Sequence, residues 1–260
     1  MVRSIAHVSD LHLGRDRRTD AAARRLCAAL VQARVDAVLV TGDVTHRGRR
    51  SELCAFENAF EPLLSLGRVI VVPGNHDRIG EDAGAALMVG ARVGVASLPG
   101  LHVVRVDSTA PHNRSLLSGH GRLDRSDLAD VDAALREAHA AALAVIMLHH
   151  HVLPLPAEDL AEALSTWLGW PNSAELPEGP ELLALARHRC DLVLHGHRHV
   201  PSVAIPWPAD PRALAILNAG CSPDLGQARL YRHDGSTLLA TGWLDAREGA
   251  AGDRMARAAA

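Results

Sequence analysis

Five short runs gather the metal-ligating side chains of this chain: Asp10-Leu11-His12, Gly42-Asp43, Gly74-Asn75-His76-Asp77, His149 at the head of His149-His150-His151, and Gly196-His197-Arg198-His199. Imidazole nitrogen suits Zn, Fe, Mn or Ni and carboxylate oxygen suits harder cations, so a mixed Asp/His/Asn set points to transition metals, with Mn, Fe or Zn expected. It does not match an all-oxygen calcium cage or a thiolate zinc finger. Asp10 and His12 follow the apolar run Ile5-Ala6-His7-Val8. In extended backbone the side chains of residues i and i+2 point the same way, so the spacing predicts that both reach one ion; His197 and His199 repeat it. His7, inside that run, and His195, just before the last block, read as hydrogen-bonded structural histidines.

Each block stands at the end of an apolar run: 36–40 before Gly42-Asp43, 69–72 before Pro73-Gly74-Asn75, 144–148 before His149, and 192–194 before His195. Short Val/Ile/Leu runs bounded by Gly and Pro predict core strands of an α/β protein, and ligands of open α/β sheets gather outside the carboxyl ends of strands. Helices are expected at 19–34, 50–66 and 124–142, the first with Thr19 or Asp20 near its start and the last opened by Asp124-Arg125-Ser126-Asp127. The alternation predicts helices covering a mostly parallel first sheet. Short β-like runs at 203–207, 213–218, 227–232 and 237–243 predict an antiparallel second sheet.

In order and type the five blocks resemble the calcineurin-like metallophosphoesterase superfamily, whose pattern is Asp-x-His, Gly-Asp, Gly-Asn-His-Asp/Glu, His and Gly-His-x-His. They cover residues 5 to about 200. The opening His7-Val8-Ser9-Asp10-Leu11-His12-Leu13-Gly14 is similar to bacterial class III cyclic nucleotide phosphodiesterases and also to SbcD repair nucleases. The resemblance implies a four-layer α-β-β-α sandwich of two mixed sheets flanked by helices, with two divalent metal ions at one edge. It implies that Asp10, His12 and His199 hold the first ion, that Asn75, His149 and His197 hold the second, and that Asp43 bridges them. A hydroxide shared by two dications about 3.5 to 4 Å apart would then attack phosphorus in line. His76 would protonate the leaving alkoxide or stabilise its charge, with Asp77 orienting the imidazole. Only Asp10 and Asp43 are anionic ligands, so the ion pair stays cationic and attracts a phosphate ester.

Two departures refine this. Protein Ser/Thr phosphatases carry Gly-Asp-x-x-Asp-Arg-Gly, whereas this chain reads Gly42-Asp43-Val44-Thr45-His46-Arg47-Gly48; the acid that would pair with His76 is His46, so that branch loses support. Arg47 remains either a phosphate clamp or a solvated loop arginine. At the fourth block His149 matches the ligand position, a one-residue slip would select His150 or His151, and His150 is expected near the pocket. His112, Asn113 and Arg114 follow a predicted strand ending at Asp107, where substrate contacts occur in α/β enzymes; Asn113 and Arg114 are the candidates.

With 260 residues and 48% hydrophobic content the chain can bury the core of a single domain, read here as 1–245 with a tail over 246–260. The stretch 152–180, holding Trp167 and Trp170 among several prolines, is read either as a cap over the site or as an insertion packed on the domain. A formal charge of −3 gives no general basic field for nucleic acid, which weakens a nuclease reading without eliminating it. Cys27, Cys54, Cys190 and Cys221 are widely spaced, as reduced thiols of a cytoplasmic protein would be, and no apolar run reaches membrane-spanning length. The expected substrate is a small phosphodiester such as a cyclic nucleotide; nuclease, phosphomonoesterase and lipid-linked pyrophosphatase activities are the alternatives. A non-catalytic scaffold stands against the intact ligand set, and a homodimer is compatible with the sequence.

Overall fold

The parallel strands that carry the ligand blocks are short and buried, and each ends where the chain must turn. In the computed structural model, which describes residues 1–115, 118–155, 174–247 and 253–257, the first half runs β1 (Arg3–Val8), α1 (Arg17–Gln32), β2 (Ala37–Thr41), α2 (Arg50–Leu64), β3 (Val69–Val72), a helical turn His76–Arg78, α3 (Gly84–Leu87), β4 (Val93–Leu98) and β5 (Leu101–Val106). A second turn at Pro111–Arg114 leads to α4 (Arg125–Arg136), β6 (Leu143–Met147), α5 (Gly179–Ala186), β7 (Leu192–His195), β8 (Ser202–Ala204), β9 (Ala215–Asn218), α6 (Ser222–Leu225), β10 (Gln227–His233), β11 (Leu238–Asp245) and β12 (Asp253–Arg257).

Two six-stranded sheets result, in the orders β12-β11-β10-β1-β2-β3 and β4-β5-β6-β7-β9-β8. β1, β2 and β3 are parallel, as are β5, β6, β7 and β9; the remaining pairings are antiparallel. Strand alternation sorts the core into three layers. Ile5, Ala37, Leu39, Ile70 and Val72 meet Val103, Val145, Met147, Leu192 and Leu194 between the sheets. Val8, Val38 and Val40 pack outward on Leu26, Leu30, Phe56 and Phe60 of α1 and α2. Val104, Ile146 and Val193 pack outward on Val131, Leu135, Leu182 and Leu183 of α4 and α5. The expected α-β-β-α sandwich is therefore the fold.

The division of strands between sheets differs from expectation. The C-terminal strands do not make a separate antiparallel sheet: β10, β11 and β12 extend the first sheet, with His7 opposite Arg229, while β8 and β9 complete the second. Pairing across more than two hundred residues leaves no local periodicity to read. Residues 253–257 pair with β11 as an edge strand, so the fold continues beyond the expected boundary at 245. α1 starts two residues before Thr19 because Asp16 caps it, accepting from the Arg18 and Thr19 N–H groups at 2.8 and 2.9 Å. α4 ends at Arg136 rather than 142, and Leu143 already donates to the Gly100 carbonyl at 3.0 Å to open β6. Trp167 and Trp170, and with them most of the cap reading for 152–180, lie outside the described residues. No helix among the described residues is long and apolar enough to cross a membrane.

Candidate metal centre

The loops after β1, β2, β3, β6 and β7 deliver Asp10 and His12, Asp43, Asn75, His149, and His197 and His199. Three of these strands belong to one sheet and two to the other, so the ligands meet across the seam of the sandwich. The way they meet corrects the sequence reading. Asp10 and His12 lie beyond β1 with φ of 54° and 45°, and His197 lies beyond β7 with φ of 67°; neither pair uses extended i, i+2 alternation. Asp43 is left-handed too, at φ 50°. A left-handed residue turns the chain sharply, so these loops bring their side chains together by turning the backbone and not by strand alternation. Such backbone costs of order 1 kcal/mol or more per residue and is held here by the surroundings.

Donor atoms about 2.1 Å from one ion stand roughly 3.0–3.4 Å from each other. His12 Nε2 and His199 Nε2 are 3.3 Å apart. Asn75 Oδ1 is 3.0 Å from His149 Nε2 and 3.0 Å from His197 Nδ1. Asp43 Oδ2 lies 3.5 Å from His149 Nε2 and 3.8 Å from His12 Nε2, between the two groups, as a bridge must. Asp10 Oδ1 is 3.7 Å from His199 Nε2. The triads Asp10/His12/His199 and Asp10/Asp43/His149 each place their donor atoms within 4.8 Å of one another. These spacings, and the mixture of imidazole with two carboxylates, fit a pair of transition-metal ions. Burial lowers the pKa of His12 to about 3 and lowers that of His149, against the pull of Asp43, so both are neutral imidazoles, the form that ligates. His149 Nδ1 donates to the Thr41 carbonyl at 2.8 Å, which leaves its Nε2 lone pair facing the site. Burial works to raise the pKa of Asp43, but the His149, His76 and His12 rings and the His76 N–H outweigh it and hold the carboxylate below its usual range.

The glycines of the motifs make room. A Cβ on Gly74 would sit 2.2 Å from Asp43 Oδ1, and one on Gly196 would sit 1.8 Å from Ser9 Oγ and 2.8 Å from Asp10 Oδ2. His76 lies beside the site, its ring 4.7 Å from that of His12; its N–H donates to Asp43 Oδ1 and its Nδ1–H to the His46 carbonyl, both at 2.8 Å. The His46 carbonyl therefore orients this imidazole, and the expectation that Asp77 does so is corrected. Asp77 is buried and accepts instead from Gly74 N, Thr45 N, Thr45 Oγ1 and Val44 N at 2.8, 2.8, 2.7 and 3.2 Å, tying the β3 loop to the β2 loop. Burial and the neighbouring Asp43 charge push its pKa up to about 6 against these donors.

The other candidates fare differently. His150 is buried beside His149 and His197, but its nitrogens engage Ser108 Oγ at 2.8 Å and the Gly119 carbonyl at 2.7 Å, so it braces the wall of the site. His151 is buried as well, its ring 5.9 Å from that of His197. Asn113 is not a substrate contact: it is fully buried and its amide closes the loop through Ala110 N, the Ser118 carbonyl and the His120 carbonyl. Arg114 is 75% exposed and pairs with Asp82 at 3.6 Å, outside the ligand cluster. Arg47 is exposed, next to His46 on the loop that holds His76. His7 is a structural core histidine between Thr41 Oγ1 and the Tyr231 hydroxyl. Sequence reasoning missed Asn218, buried at the end of β9, whose Nδ2 donates to the Arg198 carbonyl at 2.7 Å and so shapes the His197–His199 loop. Its only local signal is an Asn-Ala-Gly turn after an apolar run.

Several known proteins are similar to this chain. A probable cyclic nucleotide phosphodiesterase of Vesicomyosocius okutanii is 23% identical over 207 residues, spanning 75% of this chain and 78% of that protein. A purple acid phosphatase from yellow lupin seeds superposes with a TM-score of 0.71 at 12% identity, over 97% of this chain but only 53% of that one. A dimetal phosphatase from Danio rerio superposes with a TM-score of 0.64 at 13% identity over 98% of both chains. The family model described as calcineurin-like phosphoesterase matches residues 3–201, and the chain belongs to that family.

Proposed function

We propose that this protein hydrolyses a small phosphodiester, a cyclic nucleotide being the leading substrate, in a reaction that needs two divalent metal ions. The observation that carries the reading is the convergence of Asp10, His12, Asp43, Asn75, His149, His197 and His199 from two sheets onto one edge, with His76 beside them. The diester preference is supported by the likeness to the probable cyclic nucleotide phosphodiesterase.

When bound, two such ions supply Lewis acidity at the phosphoryl oxygen and a water of lowered pKa. Asp10, His12 and His199 would hold one; Asn75, His149 and His197 would hold the other; Asp43 would span both. The fixed tautomer of His149 keeps its Nε2 turned inward without rearrangement. His76 is pinned at two points, by its N–H on Asp43 and its Nδ1–H on the His46 carbonyl, which leaves Nε2 as the atom able to hold and pass a proton to the leaving oxygen. Because that second pin is a main-chain carbonyl, side-chain replacement at His46 leaves it in place.

The test is a screen with Mn²⁺ of bis-p-nitrophenyl phosphate, p-nitrophenyl phosphate, cyclic AMP and single-stranded DNA. Wild type should turn over the diester and cyclic AMP. Asp43→Ala should lose metal and turnover together, while His76→Ala should keep both ions and lose about 10²-fold or more of turnover. Hydrolysis of DNA alone, or of the monoester alone, would refute the substrate assignment; unchanged turnover in His76→Ala would refute the role of His76.

A further inference from the structure

Outside the five ligand blocks, one short segment touches the ligand loops more than any motif requires. After β9 the chain turns through Asn218-Ala219-Gly220-Cys221-Ser222, and the dipeptide Cys221-Ser222 reaches two ligand loops at once. Ser222 and Ser9 form a reciprocal pair: the Ser222 N–H donates to the Ser9 carbonyl at 3.0 Å, and the Ser9 N–H donates to Ser222 Oγ at 3.0 Å. Cys221 donates its N–H to the His199 carbonyl at 3.1 Å and its Sγ–H to the Asp10 carbonyl at 3.3 Å. Cys221 is 1% exposed and Ser222 fully buried. Four hydrogen bonds from two residues thus fix the backbone of Ser9–Asp10 and of His199.

Each of those loops carries a ligand of the first ion, Asp10 on one and His199 on the other, and the second loop also carries His197 of the second ion. Asp10 and His199 belong, with His12, to the first-ion group, whereas Asn75 and His149 of the second are placed by β3 and β6 and by the Thr41 carbonyl. We infer that Cys221 and Ser222 are positioning residues for the first ion, to which both loops they hold contribute, so that one end of the dinuclear centre is set by a segment near the C-terminal part of the fold. The physical reason is the left-handed backbone at Asp10, which relaxes unless held. The Ser222 hydroxyl is the side-chain group that holds the Ser9 N–H, and Ala in its place leaves that buried donor without an acceptor. Outer partners of metal ligands are worth about 10- to 100-fold in metal affinity. The inference rests on the metal assignment made above and not on the choice of substrate.

The experiment compares wild type with Ser222→Ala, Ser222→Thr, Cys221→Ala and Cys221→Ser. Each protein is loaded with Mn²⁺, dialysed against graded chelator, and read by metal analysis and by the electron paramagnetic resonance signal of spin-coupled Mn pairs. Wild type should hold two equivalents with a coupled signal. Ser222→Ala should drop to one equivalent at chelator levels 10- to 100-fold lower than those that strip wild type, and its remaining signal should be that of an isolated Mn²⁺. Ser222→Thr, which keeps the hydroxyl, and Cys221→Ser, which replaces the thiol donor with a hydroxyl donor, should behave as wild type, and Cys221→Ala should fall between. Two equivalents retained by Ser222→Ala at every chelator level, or both ions lost together in parallel with a lowered Tm in excess Mn²⁺, would overturn the inference. A wild type that binds no ion would instead overturn the metal-site reading, and the inference with it.

Discussion

Gly74→Ala isolates the geometric requirement of the bridge from its chemistry. Gly74 does not sit at positive φ, so alanine there meets no backbone strain of its own. Its Cβ would stand 2.2 Å from Asp43 Oδ1 and 2.4 Å from Asp43 N, where real Cβ atoms essentially never approach closer than 3.0 Å. Relief requires a displacement of about 0.8 Å at the carboxylate oxygen, several times the roughly 0.2 Å tolerance of a metal–ligand bond. The carboxylate cannot simply swing aside, because Oδ1 already accepts the His76 N–H at 2.8 Å; moving it moves the His76 backbone as well. Overpacking of this kind costs about 1–3 kcal/mol of stability, and a misplacement near 1 Å costs about 10²-fold in turnover. The variant should fold with a lowered Tm, bind at least one ion 10-fold or more weakly, and hydrolyse bis-p-nitrophenyl phosphate at least 10²-fold more slowly. Gly94→Ala, whose Cβ would meet nothing closer than Met88 Cε at 3.7 Å, is the control. Wild-type metal affinity with turnover within 2-fold in Gly74→Ala would refute the idea that this glycine makes room for Asp43 as the proposed bridging carboxylate.

Asp77→Ala strands four donors buried between two loops, so it should destabilise the fold by about 3–5 kcal/mol in chemical denaturation; selective loss of turnover at unchanged stability would restore the discarded role beside His76. Burial, with Arg229 and His195 nearby, holds the pKa of His7 well below its ordinary value, so the folded state favours the neutral ring. Its contribution to stability is complete above the unfolded pKa near 6.5 and is lost as pH falls below it, at about 1.4 kcal/mol per pH unit until the folded pKa is reached. In chelator, to separate this from metal release, the urea midpoint of His7→Asn should therefore fall less steeply than that of wild type between pH 6.5 and 5; parallel curves would count against a neutral His7.

The proposed ligands stand out in the sequence because their residue types are rare together and because each follows a buried run of Val, Ile and Leu. The apolar runs also named the strands that hold them, β3 to the residue, and Asp124 marked the cap of α4. What escaped reading depends on distance or on backbone sign. Nothing local in Asp10-Leu11-His12 states that two of its residues are left-handed, so an extended spacing rule gave the right neighbours for the wrong geometric reason. Asp77 follows His76 in sequence yet turns away from it, since the Gly74 N–H of its own loop and two N–H groups and a hydroxyl of the β2 loop compete for its carboxylate more effectively than one imidazole. Asn113 resembled a loop contact because an asparagine that closes a turn and one that meets a ligand look alike in sequence. The assignment of β10–β12 to the first sheet, and the hold of Asn218 on the Arg198 carbonyl, are settled only when remote parts of the chain meet.

The left-handed backbone at Asp10, His12, Asp43 and His197 places function and durability in opposition at four positions. Glycine would occupy each of these conformations at lower cost than the residue now there, by about 1 kcal/mol or more, and would remove a proposed ligand in the same step. Drift under selection for folding alone would therefore erode the metal centre first while leaving the sandwich intact and somewhat sturdier. A descendant of this chain relieved of its chemistry should be found by its glycines, at the very sites where this one carries aspartate and histidine.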